Sequence, residues 1–233
     1  MKKIGILIFI LAIMIGVVFG NFFSFGKAQT SNLFEFNFSR GIKGSGNIAT
    51  EDRQVSDFTA IDVGGIFNVE AVAGSEYAVS VEADDNLLPL IKTEVRRGVL
   101  HISSEKRIKS SSKITVRVSA PNFEAIETSG VARVEVTGLS NGELKLQSSG
   151  ASKVIASGET TALEAKTSGA SSINAESLRS VDASVKTSGA SSVRVIASGR
   201  LTASASGAGK VLYGGSPTNI EKRTSGAGKV AEL

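Results

Sequence analysis

ETSGVARV at residues 127–134 returns as QSSGASKV at 147–154, KTSGASSI at 166–173, KTSGASSV at 186–193, SASGAGKV at 204–211 and RTSGAGKV at 223–230. The central glycines, Gly130, Gly150, Gly169, Gly189, Gly207 and Gly226, step by 20, 19, 20, 18 and 19 residues. A period of this size marks a repeat architecture, in which each unit buries its apolar face only against its neighbours. Between the glycines the pattern has period two. Val154 and Ala156 alternate with Ile155 and Ser157; Leu163, Ala165 and Thr167 alternate with Glu164 and Lys166. Alternation of this kind describes strands with one face inward and one outward.

Two short strands per unit wind into a parallel β-solenoid whose rungs stack about 4.8 Å apart. The Ser-Gly-Ala phrase marks the corner, because glycine takes a positive φ at no steric cost and Ser and Ala stack on their own copies. A flexible Ser-Gly linker gives no reason for the alternation of Val, Leu and Ala. The fold class is therefore all-β: a parallel β-helix with ~19-residue rungs, a non-repetitive β N-terminal half and one short helix.

Residues 47–120 lack the beat. Strands are expected around 58–63, 66–72, 77–83 and 114–118, with a hairpin joining 92–96 to 99–103 through Arg97-Gly98. The one helix candidate is 84–91, with Asp84-Asp85-Asn86 as its acidic cap. This half starts the coil and caps its first rung, since an uncapped solenoid end is an open sheet edge. Upstream, Lys2 and Lys3 precede an apolar run over residues 4–20. Residues 1–28 read as a signal peptide cleaved before Gln29 or, uncleaved, as an N-terminal membrane anchor through residues 4–20. Both readings put the body outside the cytoplasm, in the periplasm, at the cell surface or secreted, because the lysines stay inside. Residues 29–46 read as a linker and 47–233 as the domain, with the repeat rungs over 121–233.

FTAIDVGGIFNVEAVAG at 58–74, YAVSVEADDNLLPLI at 77–91 and GVLHIS at 98–103, followed by the TSGAS phrases, carry a resemblance. In order and spacing the chain resembles the putative auto-transporter adhesin, head GIN domain family, over about residues 47–230. The resemblance implies an exported, all-β, solenoid-like module. It implies no catalytic residue and no cofactor.

The formal charge is +4, but Lys2, Lys3 and Lys27 supply three of it, leaving 23 basic and 22 acidic side chains over residues 29–233. With no basic surplus, no Trp and only Tyr77 and Tyr213, nucleic acid is set aside as a partner. The absence of cysteine excludes disulfides, a lipidated cysteine, thiolate metal sites and a thiol nucleophile. His101, the only histidine, has no Ser or Asp spaced for a triad. Glu82, Asp84 and Asp85 are too few for a calcium loop. No phosphate loop is present. No catalytic, metal or cofactor-binding residue is assigned.

Two outward columns remain. Counting along the strands puts Glu164, Asp182 and Glu221 in one slot beside Leu163, Val181 and Ile220, interrupted by Thr202. That column is the basis for an alternative reading as a carbohydrate-active β-helix enzyme on polysaccharide, which needs paired carboxylates. The other column stands three residues after each glycine: Arg133, Lys153, Ser172, Ser192, Lys210 and Lys229. It is bordered by Glu127, Gln147, Lys166, Lys186, Ser204 and Arg223, three residues before each glycine. Such a stripe suits an anionic glycan or another surface polymer, and it also protects strand edges from aggregation. The expected function is an exported, non-enzymatic module, structural or adhesive at the cell envelope, that binds a glycan or protein surface. A third reading has the Ser/Thr flank meeting ice or another ordered surface.

Overall fold

The computed structural model describes residues 41–110 and 112–233; the expected leader and most of the expected linker lie outside them. The chain begins with β1 (Ile42–Lys43), β2 (Ile48–Arg53), β3 (Ala60–Gly65), β4 (Asn68–Ala73) and β5 (Ala78–Asp84). A single 3-10 turn, Leu88–Leu90, leads to β6 (Ile91–Arg96), β7 (Val99–Ser104), β8 (Ile108–Lys109) and β9 (Thr115–Ala120). The repeats supply β10 (Ala125–Gly130), β11 (Arg133–Ser148), β12 (Lys153–Thr167), β13 (Ser172–Thr187) and β14 (Ser192–Ala197). They end with β15 (Arg200–Ala205), β16 (Lys210–Gly214), β17 (Asn219–Thr224) and β18 (Lys229–Glu232).

The result is a parallel β-solenoid with two long faces meeting at the Ser-Gly-Ala corner. Before the corner, one face stacks β7, β3, β10, the second halves of β11, β12 and β13, then β15 and β17. After the corner, the other stacks β9, β4, the first halves of β11, β12 and β13, then β14, β16 and β18. Numbered along the stack, β7/β9 is rung 1, β3/β4 is rung 2, and the six Ser-Gly phrases are the corners of rungs 3–8.

Chain order and stacking order part company at the start. Rung 2 is written first, rung 1 follows some 40 residues later, and β10 then climbs past rung 2 to continue the coil. The end below rung 1 is closed by antiparallel strands, β6 on β7, β5 on β9 and β2 on β5. The predicted hairpin is the β6–β7 pair, with positive φ at Arg97 and Gly98, the backbone of a tight hairpin turn. β1, inside the segment read as linker, pairs with β8.

The expected helix shrinks to the 3-10 turn, and Asp84 does not cap it. Pro89 inside so short a segment leaves no room for a regular turn. Asp84 is instead fully buried, its Oδ1 accepting from the Gly46 N–H at 2.7 Å and its Oδ2 from the Ser110 hydroxyl at 2.5 Å. It therefore ties the entering strand to the cap.

The core is a set of stacked columns. Ile61, Ile126, Leu146, Ala165, Val185 and Ala203 form one; Val116, Val69, Val134, Val154, Ile173, Val193 and Val211 form another, and all are buried. The large fully buried aromatics Phe58, Phe67 and Phe123 lie in the N-terminal part, whereas the repeat rungs are filled by small aliphatics. The glycine file explains the repeat. Gly150 has φ +74°, and a Cβ there would lie 2.5 Å from the Gly130 oxygen; at Gly169 it would lie 2.7 Å from the Gly150 oxygen. In rungs 3–7 the residue after the glycine donates its N–H to the glycine oxygen one rung below, as Ala151 does to Gly130 at 2.8 Å and Ala170 to Gly150 at 2.8 Å. No side chain fits between corners so closely joined.

Hydroxyls pack just inside the corner. Thr128 meets Ser152 at 2.9 Å, Thr167 donates to Ser191 at 2.9 Å and Ser171 donates to the Ser148 carbonyl at 2.9 Å. The ladder stops at Thr187, because the next rung carries Gly209 where rungs 4–6 carry serine, and the Thr187 hydroxyl is buried without a partner. At rung 8 Lys222 occupies an inward slot, directly after Ala165, Val185 and Ala203 in one column. Its Nζ donates to the Tyr213 hydroxyl at 2.7 Å and sits 4.6 Å from that ring.

Candidate functional site: the corner ridge

Outward from the corner, each phrase presents Ser, Gly and Ala (Val131 in the first) between two flanking positions. Three residues after the glycine, Arg133, Lys153, Ser172, Ser192, Lys210 and Lys229 stand in one register. Three before it, Glu127, Gln147, Lys166, Lys186, Ser204 and Arg223 do the same. The two files lie on different faces, one on each side of the small-residue crest. Thr128, Thr167 and Thr187, which an ordered-surface reading would need outside, are buried.

Several cations on the ridge are paired: Lys166 with Glu164, Arg223 with Glu221 at 2.5 Å and Arg133 with Glu135 at 3.6 Å. Lys153, Lys186, Lys210 and Lys229 have no carboxylate at ion-pair distance among the described residues. Glu127, the one carboxylate in either file, is taken by Lys145 at 3.2 Å. A hollow of about 140 Å³ on one flank is lined by Gln147, Ser149, Lys166 and Ser168. On the other flank Asn68, Lys113, Arg133 and Lys153 share a hollow of about 370 Å³ with Ile66 and Val131.

The acidic column does not form as counted along the strands. Glu164 stacks on Ser184, Thr202 and Glu221, whereas Asp182 pairs with Ala162. Register is set by distance from the corner glycine, and Ala183, not Val181, is the counterpart of Leu163. A groove of about 840 Å³ still runs along this face and brings Glu143, Glu164 and Asp182 together with Lys145 and Arg200. Glu164 is held below its ordinary pKa, first by the hydrogen bond from Lys166 and then by the charges of Lys166, Lys145 and Lys186. Asp182 accepts from the Arg200 N–H at 2.7 Å. A general acid needs the opposite shift, toward a proton kept at neutral pH.

His101 does have a carboxylate partner, against expectation. The β3–β7 pairing sets Asp62 beside it, with His101 Nδ1 and Asp62 Oδ2 3.0 Å apart. Ser103 and Ser129 border the same hollow; the Ser129 hydroxyl donates to the Val63 carbonyl at 3.4 Å and not to the imidazole. Asp62 stands three residues before Gly65, the offset that Glu127 has from Gly130. Of Glu82, Asp84 and Asp85, Glu82 accepts from Arg117 at 3.1 Å. Asp85 accepts from Ser45 at 2.5 Å, the bond that chiefly lowers its pKa. No group of three possible metal ligands occurs among the described residues.

A repetitive β-solenoid whose small-residue corner runs between two polar files defines a stacked-rung scaffold. The chain belongs to the family described as putative auto-transporter adhesin, head GIN domain, whose model matches residues 57–217. Three solved structures share the fold. One is a putative adhesin from Bacteroides fragilis NCTC 9343, 23% identical, covering 83% of this chain and 100% of that one, with a TM-score of 0.70. Another is a putative adhesin from Parabacteroides distasonis ATCC 8503, 23% identical, with 83% and 100% coverage and a TM-score of 0.56. A protein from the same organism described as a putative lipid binding protein is 18% identical, with 83% and 100% coverage and a TM-score of 0.50. No curated protein matches the sequence. The adhesin family suggests an extracytoplasmic location. No helix among the described residues is long and apolar enough to cross a membrane.

Proposed function

We propose that the chain is an exported, non-enzymatic adhesive module of the cell envelope that holds a glycan or protein surface against its repetitive flank. Residues 1–28 serve as export leader or, uncleaved, as an inner-membrane anchor, and residues 29–46 tether the body. The observation that carries the reading is the file Arg133, Lys153, Ser172, Ser192, Lys210, Lys229, which stacks in one register and keeps three lysines free of carboxylates. Unneutralised cations in a line attract an anionic partner and set its approach. Reversing Lys153, Lys210 and Lys229 to Glu abolishes cell-surface binding on this reading; unchanged binding refutes it.

The 840 Å³ groove supports a second reading, a carbohydrate-active enzyme. The lowered pKa of Glu164 suits only the ionised member of the pair that glycoside cleavage needs, and leaves the protonated partner to another carboxyl. Product release from any member of a broad polysaccharide panel would reinstate it.

A further inference from the structure

We infer that the ligand surface is the whole Ser-Gly-Ala crest with both flanking files, and that it takes a linear polyanionic glycan bearing an acidic group on each sugar. The inference rests on the adhesive reading and names its ligand class. Taken singly, the file after the glycine has a gap: Ser172 and Ser192 interrupt its cations. On those same two rungs the file before the glycine carries Lys166 and Lys186. Rung by rung, the cation is Arg133, then Lys153, then Lys166, Lys186 and Lys210, with Lys229 and Arg223 together on the last. The cations cross the crest for two rungs and cross back, so every rung carries at least one: Lys153, Lys186, Lys210 and Lys229 stand without a carboxylate, and Arg133 and Lys166 share theirs with Glu135 and Glu164.

The spacing makes this ladder effective. Successive rungs lie about 4.8 Å apart, well inside the screening length of about 10 Å in dilute salt. A polymer lying along the axis therefore passes from one cation to the next without leaving their field, whereas a compact anion meets two or three. The charge is also concentrated there. The twelve flanking positions hold seven cations and one carboxylate, leaving 16 basic and 21 acidic residues in the rest of 29–233. The crest is low because each corner is Ser, Gly and Ala or Val, and so a chain can rest on it between the two files.

The crest chemistry favours a glycan. Ser129, Ser149, Ser168, Ser188, Ser206 and Ser225 place one hydroxyl per rung along the crest; those of Ser129, Ser149 and Ser206 donate to carbonyls one rung below and meet sugar hydroxyls as acceptors. No phrase contains an aromatic residue, so the surface lacks the stacking platforms that hold single-stranded nucleic acid. It also lacks the aromatic anchors that dominate protein interfaces.

The test titrates the purified full chain with polygalacturonate oligomers of increasing length, with dextran as neutral control and polyphosphate as competitor. Affinity should rise with length until the oligomer spans the about 24 Å from rung 3 to rung 8, and fall with added salt. The deciding variant is Lys166→Ser/Lys186→Ser, which leaves the file after the glycine intact and installs a residue both files already tolerate. It should lose about tenfold in affinity, the sum of two exposed charge contacts, with an unchanged melting curve. Parent-like binding by that variant overturns the inference, as does dextran binding equal to polygalacturonate or displacement by polyphosphate without preference. If the Lys153/Lys210/Lys229 reversal abolishes cell binding while polygalacturonate binds neither protein, the adhesive reading stands and the glycan class falls.

Discussion

The two ends of the coil solve the same problem by opposite means. Below rung 1, antiparallel strands close the sheet edges with covering structure. At rung 8 no described strand covers β17 and β18, and the inward column ends in Lys222. An inward-pointing charge is a recognised guard on a strand edge, since a rung added above would have to bury it. One end is finished by packing and the other by charge. Rung 8 keeps the repeat phrase at its corner and rung 1 does without it.

The largest test, set between the aromatic N-terminal part and the repeats, is Phe123→Ala, which empties a fully buried aromatic site and should cost about 3–5 kcal/mol. Val185→Ala, in the thin aliphatic core of the repeats, should cost about 2 kcal/mol. Urea unfolding of both variants measures the difference. Gly150→Ala comes next. It combines a left-handed backbone with a methyl 2.5 Å from the Gly130 oxygen, and a loss of about 2–4 kcal/mol is expected. Gly46→Ala, with positive φ but open space around it, should cost only about 1 kcal/mol. Equal losses would show that backbone conformation alone fixes the corner.

Lys222→Leu should leave the melting temperature nearly unchanged but convert the protein to end-to-end dimers or longer species in sedimentation. A strictly monomeric variant would remove the guarding role. The smallest effect has a sign that can be checked. Thr187→Val removes an unpartnered hydroxyl and should be neutral or stabilising by up to about 1 kcal/mol, whereas Thr167→Val breaks the bond to Ser191 and should destabilise by about as much.

The coil was legible because the glycines carry its period and the alternation carries its faces. The stripe after the glycine was legible for the same reason, since a fixed offset from a stacked residue is itself stacked. Rung 2 was hidden. Its corner, DVGGIFNV at 62–69, aligns with the repeat phrase position by position, with Asp62 and Asn68 in the two flanking files. Gly65 lies 65 residues before Gly130, however, and no period reveals it. The His101–Asp62 pair stayed invisible for the same reason. The acidic column was misplaced because rungs of 18 to 20 residues absorb their extra residue at the far corner, where the pairing of β12 with β13 shifts register between Ile155 and Ser157. Only counts from the glycine survive that slippage.

The early crossing of β10 over rung 2 bears on how such a chain can lengthen. Ala60–Ala73 emerges first but becomes sandwiched only after residues 99–137 have come out on both sides of it, so this seed must assemble as a knot of distant segments. Everything past Gly150 merely lays one more turn on a finished platform. Duplication or loss of a turn there leaves the seed untouched, and the reach of the module can change by whole rungs while its foundation stays the same.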